Sequence, residues 1–263
     1  MADNYTFIQA ASSIPSITLE EMEGVKLLNR IDSKYLTNED TLLQVLDDAR
    51  AAGYRALETE GTKVSPYNSI YFDTREMKMF LDHHNRRLVR QKVRTREYLN
   101  SRTAFLEIKR KNNHGRTKKK RIGIPESEMQ GFAWDPNACG FLARYSDFTA
   151  KELLPVLSTS FRRITLVNPQ MTERLTIDTS LLFTNYQTRR KASLQDAVII
   201  ELKQDGHAHS QMKDILLCHR VKPVRVSKYC IAVTLTDPDV KSGRFKTKIH
   251  TIEKIINKKI HTI

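Results

Sequence analysis

With 40% hydrophobic and 28% charged residues, the 263-residue chain has enough apolar mass for a core, and no apolar run is long enough to cross a bilayer. Its 44 lysines and arginines against 30 aspartates and glutamates give a net charge of +14, a field that attracts polyanions: nucleic acid, anionic lipid or phosphate-rich small molecules. Cys139, Cys218 and Cys230 are far apart and in no metal or redox spacing, and MADNYTFIQA lacks a basic segment followed by an apolar one, so a cytoplasmic protein without a secretory leader is expected.

In chain order, LEEMEGVKLLN (19–29) places Met22, Val25, Lys26 and Leu28 near helical spacing with acids in its first turn, which predicts a helix. RIDSKYLT (30–37) reads as a strand. NEDTLLQVLDDARAAG predicts a second helix, with Asn38 or Asp40 as N-cap, an apolar stripe of Leu42, Leu43, Leu46 and Ala49, and Gly53 as terminator. β-type runs then dominate at 67–74, 87–99, 103–111, 117–124, 158–167, 174–183 and 197–204, divided by turn residues such as Asn112-Asn113-His114-Gly115 and Asn168-Pro169. That makes about eight strands, enough to close an antiparallel barrel that holds a ligand. Helices are predicted at 209–220 and in the tail from Arg244, whose Phe245, Ile249, Ile252, Ile256 and Ile260 recur opposite lysines; the tail is expected to cover the barrel. The fold class is α+β, a closed antiparallel barrel flanked by helices, in one domain: a helical lead-in (1–29), the barrel with inserted helices (30–235) and a basic tail (236–263).

Strand side chains alternate between faces, so Arg90, Lys92, Arg94 and Arg96 share one side. The same period groups Arg30, Asp32 and Lys34; Phe105, Glu107, Lys109 and Lys111; Arg174, Thr176 and Asp178; and Ile199, Glu201 and Lys203. In TKKKR it sets Lys118 and Lys120 against Lys119 and Arg121. Alternating cations on a strand are by default the wet face of a sheet. Here the pattern recurs on most strands, carboxylates stand in register with the cations, and much of the set is arginine, whose planar fork suits phosphate. The opposite faces are apolar (Leu106 and Ile108, Leu175 and Ile177, Ile200 and Leu202) and are expected to lie under helices. A wet, cationic tunnel follows.

The ordered series RIDSKY, YFDT, KVRTREY, FLEIKRK, SFRRITL, RLTIDT, IIELK and VSKY resembles the VTC-type polyphosphate polymerase domain, a branch of the triphosphate tunnel metalloenzymes (CYTH-like proteins), over residues 28–233. The resemblance implies a basic β-barrel tunnel. It makes Lys34, Arg94, Arg96, Lys109, Arg163, Arg174 and Lys228 the catalytic phosphate contacts, with Ser227 beside the last and Lys118 or Lys120 supplying one more. Arg30, Arg90, Lys92, Lys111 and Lys203 are further candidate substrate contacts, and Phe161 stands where eukaryotic members carry tyrosine. Glu201 matches the metal-binding glutamate; with Glu107 or Asp178 it is expected to hold Mn²⁺ or Mg²⁺, hard cations that prefer oxygen ligands.

The implied reaction transfers the γ-phosphoryl of ATP to a polyphosphate chain, with a membrane protein as a conceivable acceptor of the product. Hydrolytic members of the wider superfamily begin with E-x-E-x-K; here the frame reads Arg30-x-Asp32-x-Lys34, which weakens the case for activating water. The alternatives are a triphosphatase, a silent polyphosphate binder and a nucleic-acid module. Carboxylates interleaved with the cations, and few aromatics on the charged faces, argue against specific nucleic-acid binding. No P-loop motif occurs, and His83-His84, His207 and His209 read as surface residues.

Overall fold

A computed structural model describes residues 6–25, 30–206, 209–260 and 262. Helix α1 (Thr6–Ser13), strand β1 (Ser16–Ile17) and helix α2 (Leu19–Met22) precede the main sheet. The strands that follow are β2 (Arg30–Asn38), β3 (Arg55–Leu57), β4 (Ser65–Asp73), β5 (Arg90–Tyr98), β6 (Thr103–Lys111), β7 (Thr117–Ile124), β8 (Leu154–Val167), β9 (Glu173–Asn185), β10 (Lys191–Leu194) and β11 (Ala197–Asp205). Between and after them come α3 (Glu39–Ala51), α4 (Lys78–His84), α5 (Pro136–Tyr145), α6 (Gln211–Cys218), α7 (Lys228–Thr236) and α8 (Gly243–Ile256). The predicted helix over 19–29 shrinks to α2, closed by a capping box between Thr18 and Glu21; Lys26 and Leu28 lie outside the described residues. Asn38 caps α3 by accepting from Thr41 N at 2.9 Å, and Gly53 follows the helix with φ +77°, as a terminator requires.

The main ladder is antiparallel and runs β2-β11-β9-β8-β4-β5-β6-β7. It curls into a half-barrel, but the expected closure is absent: among the described residues no ladder joins β7 to β2. The edges explain the gap. All of Thr117–Arg121 on β7 is exposed, as are Arg30, Ile31 and Asp32 on β2, and an edge rich in lysine resists pairing with another strand.

The convex face is apolar, as its alternation predicts. Ile164, Leu175, Ile177, Ile200 and Leu202 pack against Leu42 and Leu46 of α3 and Met212 and Leu216 of α6. Val93, Leu106 and Ile108 pack against Phe141 and Leu142 of α5. On the concave side a β-bulge in the β8–β9 ladder, next to Ser180 at φ +53°, changes which parity of β9 faces inward. One strand thereby delivers Arg174, Thr176 and Asp178, then Leu181 and Phe183, to the same face.

Those apolar inward residues, with Leu36 and Ile199, need cover, and α7 supplies it with Tyr229, Ile231, Ala232 and Val233. The expected tunnel is therefore corrected to a concavity partly filled by a helix. α7 escaped prediction because KYCIAVTLT is apolar all round, which erases the helical period. The tail lies over this layer as expected: Phe245 and Ile252 of α8 are buried in the same cluster, and Asn38 Nδ2 donates to Ile255 O at 3.1 Å.

Candidate functional site

Register places most of the predicted residues on one face. Lys34 lies opposite Glu201, and Lys203 opposite Arg174; Asp178 lies opposite Arg163, Arg96 opposite Ser69 and Phe105, and Arg94 opposite Tyr71 and Glu107. Lys92, Lys109 and Lys119 form a row of three cations across β5, β6 and β7, an arrangement that like-charge repulsion disfavours without an anion.

Glu107, Asp178 and Glu201 are each clamped by two cations. Glu107, fully buried, accepts from Arg94 Nε and Nη2 at 2.8 and 2.5 Å and from Lys119 Nζ at 2.7 Å. Asp178 accepts from Arg163 at 2.6 and 2.8 Å and from Lys228. Glu201 meets Lys34 at 2.6 Å and Lys203 at 3.4 Å. Burial alone would raise these carboxyls, but the cations outweigh it and hold all three below the ordinary carboxylate range. Asp32 is engaged by Arg30 at 2.6 Å.

Arg96 is different. Only 7% exposed, it donates from Nε to Ser69 Oγ at 3.1 Å and forms no ion pair with a carboxylate among the described residues. Its guanidinium lies over the rings of Tyr67 and Phe161, which Arg163 also faces. Burial and the neighbouring Arg94 and Arg163 push its pKa down to about 10. A buried cation left in this state is costly unless an anion joins it. Nearby, Arg174 Nε and Thr176 Oγ1 are buried without a hydrogen-bond partner among the described residues. Lys109 is depressed well below its ordinary value, first by Arg94 and then by burial.

Several expectations change. Lys118 and Lys120 point to the convex side, where Lys120 lies 5.5 Å from the Tyr145 ring; Lys119 and Arg121 take the concave positions. Phe161 is 3% exposed and stacks on Tyr67 at 5.4 Å, a platform beneath Arg96, Arg163 and Lys228. Ser227 caps α7 and accepts from Lys92 Nζ at 2.8 Å. The charged face also holds more rings than the alternation suggested, Tyr67, Tyr71 and Phe161 among them, but these are buried under guanidiniums and unavailable for base stacking. His84 is buried at 3% exposure, correcting its surface assignment; His209 is exposed and His207 lies outside the described residues.

The three acids do not converge: among the described residues no group of three His, Cys, Asp or Glu side chains is placed to hold a metal. Glu201, the carboxylate that the resemblance would give to a hard cation, is here paired with Lys34 and Lys203. Tyr71 was missed as a site residue; its hydroxyl accepts from Arg94 Nη1 at 3.1 Å. Its place opposite Arg94 in the β4–β5 register is the signal that locates it.

A curled antiparallel sheet whose inner face gathers arginines and lysines, Arg94 and Arg96 buried among them, defines the class, an α+β half-barrel with a cationic concave face. The VTC domain family matches residues 29–236, and the chain belongs to that family. No curated protein matches the chain. Among solved structures, it is similar to a putative adenylyl cyclase from Hippeastrum described as having dominant triphosphatase activity (14% identity, 78% of this chain and 95% of that one, TM-score 0.49). It is also similar to a putative adenylate cyclase from Vibrio parahaemolyticus (8% identity, 77% and 96%, TM-score 0.44). A conserved hypothetical protein from Pyrococcus furiosus gives 10% identity, 76% and 99%, and TM-score 0.41. No helix of the described residues is long and apolar enough to cross a membrane.

Proposed function

We propose that the concave face binds linear phosphate chains and transfers the γ-phosphoryl of ATP onto the end of a polyphosphate. The observation that carries this reading is Arg96, a buried guanidinium between Arg94 and Arg163 with no carboxylate of its own. Its charge awaits an anion with several oxygens.

Phosphoryl transfer depends on positioning and charge neutralisation, because the transition state is loose with charge on the equatorial oxygens. Arg94, Arg96, Arg163 and Arg174 would grip those oxygens, while Lys34, Lys109 and Lys228 act as point charges. The terminal phosphate of the acceptor chain, with a second pKa of about 6, is already largely ionised at neutral pH. Its oxygen attacks the γ-phosphorus, the bond to the β-bridging oxygen breaks, and ADP leaves. No protein base is needed. That suits this face, whose carboxylates are clamped by cations and held at low pKa, making them poor bases for water. A Mn²⁺ or Mg²⁺ ion held by Glu201 would supply further neutralisation of the phosphate oxygens.

The test is gel analysis of purified protein with ATP and Mn²⁺, with and without pyrophosphate. Lengthening phosphate chains are expected. Free phosphate without chains would make the protein a triphosphatase; binding of polyphosphate without turnover would make it a silent relative. Glu201→Gln is expected to lower metal-dependent turnover at least about a hundredfold with unchanged circular dichroism. Full activity in that variant removes Glu201 from the site.

A further inference from the structure

A second cluster of cations joins the start of β5 and the end of β6 with Arg225 and, on α8, Lys248. Arg90 and Lys111 are direct cross-strand partners, a like-charge pairing that weakens a sheet unless an anion bridges it. Lys248 of α8 donates to Arg225 O at 2.5 Å, Arg90 to Arg87 O at 2.6 Å and Lys92 to Ser227 Oγ at 2.8 Å. Their hydrogen bonds go to backbone and hydroxyl groups, and none of Arg90, Lys111, Arg225 and Lys248 is in an ion pair with a carboxylate among the described residues. The cations also depress one another: Lys111 is lowered by burial, then by Arg90 and Arg225, and Lys248 by burial, then by Arg86, Arg225 and Lys92, with Cys230 opposing. Beside them His83 is driven to about 3 by burial and by Lys92, Arg90, Lys248 and Lys111, and its buried Nδ1 has no partner among the described residues.

We propose that Arg90, Lys111, Arg225 and Lys248 form a second anion subsite, which takes the part of a linear phosphate chain extending beyond Arg94, Arg96 and Arg163. The inference rests on the function proposed above. Lys92 lies between the two clusters on the same face of β5, so the cationic lining is continuous. Arg94 and Arg90 are four residues apart on that strand, roughly 14 Å, farther than a triphosphate reaches. Lys248 lies beyond residues 29–236, the span matched by the family, so the subsite draws on a helix outside it. Nucleic acid fits less well, because the neighbouring rings Phe245 and Tyr229 are buried and offer no stacking platform.

The test measures binding of tripolyphosphate, long-chain polyphosphate and single-stranded RNA of matched charge to the full chain and to its Arg225→Gln/Lys248→Gln variant. For the variant, tripolyphosphate affinity is expected within about twofold of wild type, long-chain affinity about tenfold weaker, and the long-chain salt slope shallower by about 1.4, two contacts at about 0.7 each. Unchanged long-chain affinity and slope overturn the subsite while leaving the central site standing. A variant that loses RNA but keeps long-chain polyphosphate overturns the choice of ligand. Wild-type protein that binds neither phosphate ligand overturns the proposed function, and the subsite with it.

Discussion

Arg96 is a buried cation of the concave face with no carboxylate ion pair among the described residues, and its removal separates stability from binding. Replacing a buried, unpaired charge with an apolar side chain of similar length is often stabilising. Arg96→Met is therefore expected to raise the stability of the free protein by about 1 kcal/mol and to abolish the thermal shift that tripolyphosphate gives wild type; a lower melting temperature without ligand contradicts the account. Lys109 makes a prediction about protons. Its pKa in the free protein is well below the ordinary 10.5, and a bound polyanion favours its charged form and raises that pKa. Between the two values binding takes up a proton, so affinity falls as pH rises through this window. Calorimetry in buffers of different ionisation enthalpy should show the uptake, and Lys109→Met should remove most of it. Both residues were legible in the sequence as members of alternating cationic sets. Their lack of counter-charge was not, because partners come from other strands.

At the level of elements, the β6–β7 hairpin shows how a correct strand yields a wrong face. TKKKRIGI is β7 to the residue, yet its parity depends on the loop that joins it to β6. Lys111 pairs with Thr117 across a five-residue connection, Asn112–Arg116, which brings Lys119 opposite Lys109 and Arg121 opposite Glu107. A one-residue change in that loop would have put Lys118 and Lys120 inside. Lys119→Gln should weaken tripolyphosphate binding about tenfold, whereas Lys120→Gln should leave it unchanged, and the reverse ranking would refute the register. The bulge in the β8–β9 ladder and the all-apolar α7 escaped the sequence for related reasons. Period counting assumes an unbroken strand in one case and a wet face in the other.

For the whole molecule, the acids that brace the half-barrel set its behaviour at low pH. The pKa values of Glu107, Asp178 and Glu201 are depressed below the ordinary 4.5, 3.8 and 4.5, so their contribution to stability is complete above those values and is lost as pH falls toward the depressed ones. Urea unfolding is expected to show stability dropping steeply below about pH 4, and Glu107→Gln should flatten that drop; an unchanged profile would mean the clamp on Glu107 carries no stability. The composition, the strand runs and the period of the charges determined by themselves that this is an α+β protein with one cationic and one apolar sheet face, because alternation along a strand is a local property. Tertiary structure alone decided that the sheet stays open at its charged edges, that α7 enters the concavity, and that Glu107, Asp178 and Glu201 are each shared between two cations. Those outcomes depend on which strands and helices meet, and charges far apart in the chain interact once the fold has brought them within a few ångströms.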